Sequence, residues 1–341
     1  MISYGNKTVD LPMENIESAE KAGFDSVWFA EAYGADAISQ IAWVLAKTKT
    51  LKAGSAIMQV PGRTPAAAAM TAMSLAHLSS DRFILGLGAS GPQVVEGWHG
   101  VGYKRPLQRL REYIDIVRLM MKRESPVSYD GDIYQLPYQG EGSVGLGKPL
   151  KSILAAKDTP IYTASFTPEG FRLSGELAEG ALLAFASPEK LRHIAGYVEE
   201  GFAKSTVNKG WANFDLAPFV NVCCDDDIDV ARDKTRKMLA LYIGGMGSKK
   251  KNFYNDMVVA LGYEEAAKKI QALYLAGDKS AAEAAVPNEL IDEVSLSGTK
   301  EAIKKQAQKW KAAERAGYIK TMVLSIDQPE MIEYMAEIFS Q

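Results

Sequence analysis

The residues richest in chemistry lie in one stretch, Arg82 to Gly102, which reads RFILGLGASGPQVVEGWHGVG. Arg82 to Leu87 is a short apolar run of the kind that makes a fully buried strand. Gly86, Gly88 and Gly91 follow, and glycine, with no Cβ, lets backbone approach a ligand closely. After Pro92 comes a loop holding Glu96, Trp98 and His99. A second acid, Glu31, stands directly after another buried run, Ser26 to Ala30. Strands that end in glycines and polar groups predict a binding site at those ends.

What is missing narrows the chemistry. No lysine stands at a strand end to form a Schiff base, because Lys52 and Lys320 lie at strand starts. The three histidines, His77, His99 and His193, form no metal-ligand pattern, so no metal is expected. No matched carboxylate pair suits glycoside hydrolysis. Small residues and backbone donors suit a site where a cofactor brings the reactivity and the protein binds and orients. Gly86 to Gly91 formally matches G-x-G-x-x-G. Pro92 follows it, however, and three strand–helix units precede it, which does not fit a nicotinamide dinucleotide fold. A phosphate- or ring-binding glycine loop is the expectation. Glu31 is either a site acid or a cap near the next helix, and His99 either a proton donor or a structural loop histidine.

The elements that position these residues alternate. Helix Leu11–Ala22 is stopped by Gly23, strand Ser26–Ala30 follows, then helix Ala35–Lys47, strand Leu51–Met58 and helix Pro65–Leu78. Strand Arg82–Leu87 precedes helix Pro106–Lys122, whose Leu107, Leu110, Ile114, Val117 and Met121 recur at helical spacing. Val127–Leu136 reads as a hairpin around Asp130-Gly131, opening an excursion over 124–158. Alternation resumes with strand Ile161–Ala164, helix Pro168–Ala178, strand Ala181–Phe185, helix Pro188–Lys204 and strand Leu216–Cys224. Asp225 to Pro287 reads as helical throughout, with a helical insertion over about 240–298. Helix Thr299–Ala316, strand Lys320–Ile326 and helix Pro329–Phe339 close the chain. With Met1–Tyr4 as a weak first strand, eight strands and their helices predict an α/β fold, a (β/α)8 TIM barrel forming one domain over 1–341.

Composition agrees. Hydrophobic content of 47% and charged content of 24% are those of a globular protein of 341 residues. A net charge of -3 gives no basic face for nucleic acid and none for an anionic membrane. No apolar run approaches the ~20 residues that span a bilayer. Adjacent Cys223 and Cys224 and the absence of a basic-then-apolar leader predict a cytoplasmic protein.

The run from Gly54 to Gly100, GSAIMQVPGRTPAAAAMTAMSLAHLSSDRFILGLGASGPQVVEGWHG, closely resembles the luciferase-like monooxygenase superfamily. It is similar in particular to the branch of oxidoreductases using the deazaflavin coenzyme F420. AEKAGFDSVWFAEAYG (Ala19 to Gly34), VSYDGDIYQL and GELAEGALLAF extend the match over most of Ala19 to Lys204. The resemblance implies hydride transfer between coenzyme F420 and a small-molecule substrate, and a homodimer. It implies coenzyme contacts from Glu31, Ile57, Met58, Gln59, Ser90, Gly91, Val95, Ser165, Phe166 and Thr167. His99 and Glu31 are the catalytic candidates, with Tyr33 a further candidate proton donor. It implies a non-proline cis peptide within Ala56-Ile57-Met58, at Ile57-Met58, and a phosphate near the helix opened by Pro168. Sugar-phosphate dehydrogenases of the family carry histidine after the acid, where Ala32 stands here, and glutamate near Pro92-Gln93, which argues against that substrate. An FMN-dependent monooxygenase and a non-catalytic coenzyme-binding protein remain as alternatives. Tyr134, Tyr138 and Trp98 are candidate walls of a substrate pocket.

Overall fold

The computed structural model describes residues 7–249 and 251–340; the expected strand Met1–Tyr4 lies outside them. In chain order the strands are β1 (Ser26–Phe29), β2 (Lys52–Ser55), β3 (Met58–Gln59), β4 (Phe83–Gly88), β5 (Tyr129–Asp130) and β6 (Gln135–Leu136). They continue with β7 (Ile161–Ala164), β8 (Gly180–Leu183), β9 (Asp215–Cys224), β10 (Ser295–Gly298) and β11 (Val323–Ile326). One curled sheet runs β1-β2-β4-β7-β8-β9-β10, with β3 on β4 and β11 on β9, and every pairing in it is parallel. Among the described residues no ladder joins β1 to β11, so the sheet is seen open.

Parallel strands need helical crossovers, and those helices bury both sheet faces. Outside the curl, Phe29, Leu85, Leu87, Ile114 and Val117 pack between sheet and helices. Inside it, Trp28, Ile84, Leu182, Ala217 and Val323 fill the space, so the interior is a core rather than a channel. Capping fixes where the helices begin. Thr64 accepts from Ala67 N ahead of helix Pro65–Ser79, and Asp36 accepts from Ser39 N ahead of Ala37–Lys47.

Four differences from the sequence reading have physical reasons. The strand expected over Leu51–Met58 breaks after Ser55, where the Ala56-Ile57 peptide is cis, and resumes as β3. The cis bond thus lies one residue before Ile57-Met58. The hairpin turn occupies 131–134 rather than Asp130-Gly131, because Glu112, 1% exposed, collects the backbone N–H groups of Asp132, Ile133 and Tyr134 and the Gln108 amide. Burial pushes the Glu112 carboxyl up, but those four donors outweigh it and hold it below the usual range. Finally, Ser295–Gly298 is a strand, tucked between helices Asn288–Val294 and Lys300–Arg315 in a stretch too short and too serine-rich to announce itself.

Another carboxylate ties the first helix to the sheet. Glu20, on helix Met13–Lys21, accepts from the backbone of Lys49, Thr50 and Leu51 at 2.8, 2.6 and 3.0 Å. These bonds, led by Thr50, hold its carboxyl at about 2, against an ordinary 4.5. The folded state therefore favours the ionised form, so its contribution is full above pH 4.5 and fades as pH falls toward 2. Glu20→Gln is expected to lower Tm at pH 7 while the gap from wild type shrinks steadily below pH 4.5. A gap that stayed constant down to pH 3 would show that Glu20 acts through something other than its charge.

Candidate functional site

Parallel register places the C-terminal ends of β1, β2, β3, β4 and β7 on one edge. At its centre stands Glu31, two residues past β1, with its side chain 7% exposed. Oε1 accepts from Gln59 N at 3.1 Å and Arg63 Nη1 at 3.0 Å. Oε2 accepts from Ala37 N at 3.0 Å and the same Arg63 nitrogen at 3.1 Å. A carboxylate has about four acceptor positions, and all are taken. Glu31 thereby joins β1, β3, the turn Val60–Gly62 and helix Ala37–Lys47. Arg63, which the sequence reading passed over, is the partner that makes this possible, and Asp36 lies 3.5 Å from its other terminal nitrogen.

Gln59, 1% exposed, is spent in the same way. Its amide nitrogen donates to Glu31 O at 3.1 Å and Ala32 O at 2.8 Å, while its oxygen faces His99 Nε2 at 2.8 Å. Glu31, Gln59 and His99 thus form one connected group. His99 is held from the backbone side too, its N–H donating to Val94 O.

Ile57 and Met58, neighbours in sequence, face opposite ways. Ile57 faces inward, packed among Trp28 and Ile84 with its side chain over Gly88. A Cβ at Gly88 would stand 2.6 Å from Ile57 Cγ1. Met58 faces the other way and is fully buried against Leu87 and the helices, so its side chain does not reach the edge. Gly86 has a different use from the ligand approach expected of it. Ser55 Oγ donates to Gly86 O at 2.8 Å and accepts from Gly86 N at 2.9 Å, and a Cβ there would lie 1.8 Å from Ser55 O. The glycine brings β2 and β4 together.

Ser90, in a left-handed conformation at φ 61°, and Gly91 lead into the short helix Pro92–Gly97. Val95 is buried beneath this loop, beside Ala89, Pro61, Tyr103, Lys104 and Arg109. Ser165 is buried, and its hydroxyl meets Ser174 Oγ at 2.8 Å. Ser174 donates to Gly170 O, so Ser165 and Thr163 both donate to Ser174. Thr167 caps helix Pro168–Leu177, accepting from Gly170 N. Phe166 stacks on Phe253 and meets Tyr254 edge-on, which brings the region after residue 245 against the loop after β7. Nothing in the periodicity of the sequence marks that contact.

Two exposed aromatics stand by His99. Tyr33 and Trp98 are 58% and 65% exposed with ring centroids 6.4 Å apart. Tyr134, by contrast, packs against Tyr113 in the core and is no pocket wall. Tyr138 is exposed and donates to Glu141 O within the excursion. The buried acid Asp215 opens β9 at the opposite edge, accepting from Tyr162 and the backbone of Lys320 and Thr321. Burial pushes its carboxyl up, but it is remote from these residues.

Comparison with known proteins decides the family. The sequence profile of the luciferase-like monooxygenases matches residues 4–318. The chain belongs to this family. It is 39% identical over 95% of its length, and 93% of the other, to a protein of Mycobacterium tuberculosis named "Putative coenzyme F420-dependent oxidoreductase". A 5,10-methylenetetrahydromethanopterin reductase of Archaeoglobus fulgidus is 28% identical over 83% of this chain and 81% of its own. The F420-dependent tetrahydromethanopterin reductase of Methanopyrus kandleri superposes with a TM-score of 0.76 at 22% identity, covering 96% and 94% of the two chains, which shows the shared fold.

Glu31→Gln removes the counter-charge of Arg63, whose side chain is 23% exposed. Breaking a fully buried pair costs about 3–5 kcal/mol. Because Arg63 keeps some solvent and Asp36 beside it, urea unfolding is expected to show a loss of about 2 kcal/mol. A loss within about 0.5 kcal/mol would mean that the four bonds are not what holds this edge.

Proposed function

We propose that this chain is an oxidoreductase that uses coenzyme F420 to move a hydride to or from an organic substrate at the edge formed by β1–β4 and β7. The observation that carries the reading is the apolar shelf of Ile57 lying over Gly88, flanked by the small residues Ala56, Ala89 and Ser90. A planar, mostly apolar ring system fits such a surface, and Gly88 leaves room for Ile57 to lie there. The 39% identity to a protein named for F420 dependence supports the same choice. When bound, the coenzyme supplies or accepts the hydride, and this chain does the rest. Ile57 supports one face of the ring, and the backbone from Ser90 to Val95 borders it. The first turn of helix Pro168–Leu177, capped by Thr167, favours the anionic side chain. Ser165 and Phe166 shape that approach rather than donating to it, because the Ser165 hydroxyl is already bonded to Ser174. Hydride transfer needs the reacting carbons about 3–3.5 Å apart with aligned orbitals, which is a demand on rigidity. The Glu31 hub meets it by fixing β1 to β3, and it is positional rather than catalytic. Tyr33 and Trp98 give the substrate an apolar wall beside His99.

The same reading closes the sheet into a (β/α)8 barrel as one domain over 1–341, with an excursion at 124–158 and a helical insertion at about 240–298. Packing of the first helix, Met13–Lys21, against the last, Glu330–Ser340, supports closure. The unpaired Cys223 and Cys224 suit a reducing cytoplasm. Homodimer formation belongs to the same proposal on family grounds. Among the described residues no helix is long and apolar enough to cross a membrane.

Titration of the protein with oxidised F420 and, separately, FMN tests the reading by fluorescence. Micromolar binding of F420 with FMN at least about tenfold weaker is expected, a difference of about 1.4 kcal/mol. Gly88→Val should displace Ile57 into the ring position; overpacking of about 1–3 kcal/mol would weaken F420 about five- to 150-fold. The reverse preference would assign the chain to the flavin monooxygenases, and binding of neither would overturn the proposal.

A further inference from the structure

His99 touches the Glu31 network through a single side-chain bond, and that bond decides which of its nitrogens carries the lone pair. The Gln59 amide has one chemically permitted orientation. Its nitrogen faces two carbonyl oxygens, Glu31 O at 3.1 Å and Ala32 O at 2.8 Å, and both can only accept. Turning the amide would press its oxygen against both. Gln59 Oε1 is therefore fixed toward His99 Nε2 at 2.8 Å, and an amide oxygen only accepts. His99 Nε2 must carry a hydrogen in either charge state. A neutral imidazole carries one, so the lone pair sits on Nδ1. Among the described residues no hydrogen-bond partner reaches Nδ1. The ring lies over Gly62, where a Cβ would stand 3.1 Å from Cε1 and 3.7 Å from Nδ1.

We infer that Gln59 is a positioning residue that holds His99 in the Nε2–H tautomer, so that this site gains and loses its proton at His99 Nδ1 alone. The chain of command is legible: Arg63 fixes the Glu31 carboxylate, Glu31 and Ala32 fix the Gln59 amide, and Gln59 fixes the imidazole. The consequence for catalysis rests on the proposed function. In substrate reduction, the bound coenzyme would supply the hydride, with its two electrons, to a substrate carbon. The proton passes from His99 Nδ1 to the substrate atom that gains the displaced electron pair. That N–H bond breaks, the new bond to hydrogen forms, and neutral imidazole remains. In the oxidative direction the Nδ1 lone pair takes the proton. This assigns a single acid–base atom where two nitrogens were candidates.

Nitrogen-15 labelling of the histidine rings and long-range proton–nitrogen correlation test it without turnover, at about pH 8 where an ordinary imidazole is neutral. His99→Asn identifies the His99 signals among the three histidines. In wild type, Nε2 is expected at the protonated position and Nδ1 at the unprotonated one, while Gln59→Leu should average the two. Protonated Nδ1 in wild type would overturn the inference whether or not any variant folds, and so would an unchanged pattern in folded Gln59→Leu. Saturation with oxidised F420 should move the His99 Nδ1 signal and leave His77 and His193 in place. If fluorescence shows F420 bound while His99 stays unmoved, its part in the reaction is overturned and the proposed function stands. If F420 does not bind, the proposed function falls and the tautomer is still decided.

Discussion

A carboxylate that has left water must find hydrogen bonds for all its lone pairs, and Glu31 is the place where that constraint organises this protein. Its four bonds come from three separate segments. Each partner is itself consequential. Ala37 begins a helix, Gln59 ends the third strand, and Arg63 follows the turn at Val60–Gly62. If the carboxylate were neutral or absent, three pieces of chain would lose their common reference, and the guanidinium would be left half-desolvated. The site's geometry is thus set by satisfying one buried charge, a demand that tolerates little displacement because charge-assisted bonds weaken quickly with distance and angle.

The sheet contributes the complementary constraint, close approach without side chains. Gly86 admits the Ser55 carbonyl and hydroxyl, and Gly88 admits Ile57. The apolar and polar parts of the site are in this way built from neighbouring strands with opposite logic. Where β2 meets β4 the protein removes side chains, and where β1 meets β3 it adds a charge and saturates it.

Much of this was legible in the sequence, and the failures share a cause. Helix limits such as Pro106–Lys122 and strands such as Ile161–Ala164 are local properties of periodicity, caps and branched residues, and they emerged as read. Glu31, Gln59 and His99 were singled out individually, yet their connection was not visible, because partners 28 and 40 residues apart meet only through the fold. Arg63 gave no signal beyond being an arginine in a loop. Glu112 could have been found, since a glutamate among Leu110, Tyr113 and Ile114 on an apolar helix face needs a buried partner. Met58 and Ile57 were grouped by adjacency, whereas the fold turns their side chains into separate clusters on opposite sides. Ser295–Gly298 offers a single leucine among two serines and a glycine between helices, a strand made by its neighbour β9 rather than by its own preference.

The same physics supports the proposal that the acid in the middle of the site positions rather than moves a proton. Glu31 has every acceptor position occupied, so using it would mean dismantling the edge it holds. His99 sits one step out, tied down at Nε2 and unpartnered at Nδ1 among the described residues. Under the proposed function, a rigid inner carboxylate and an outer imidazole with one committed nitrogen would divide positioning from proton transfer between two residues. A cofactor-dependent hydride site would require that division, because a bound ring must be held still while a proton is gained or lost within the same turnover.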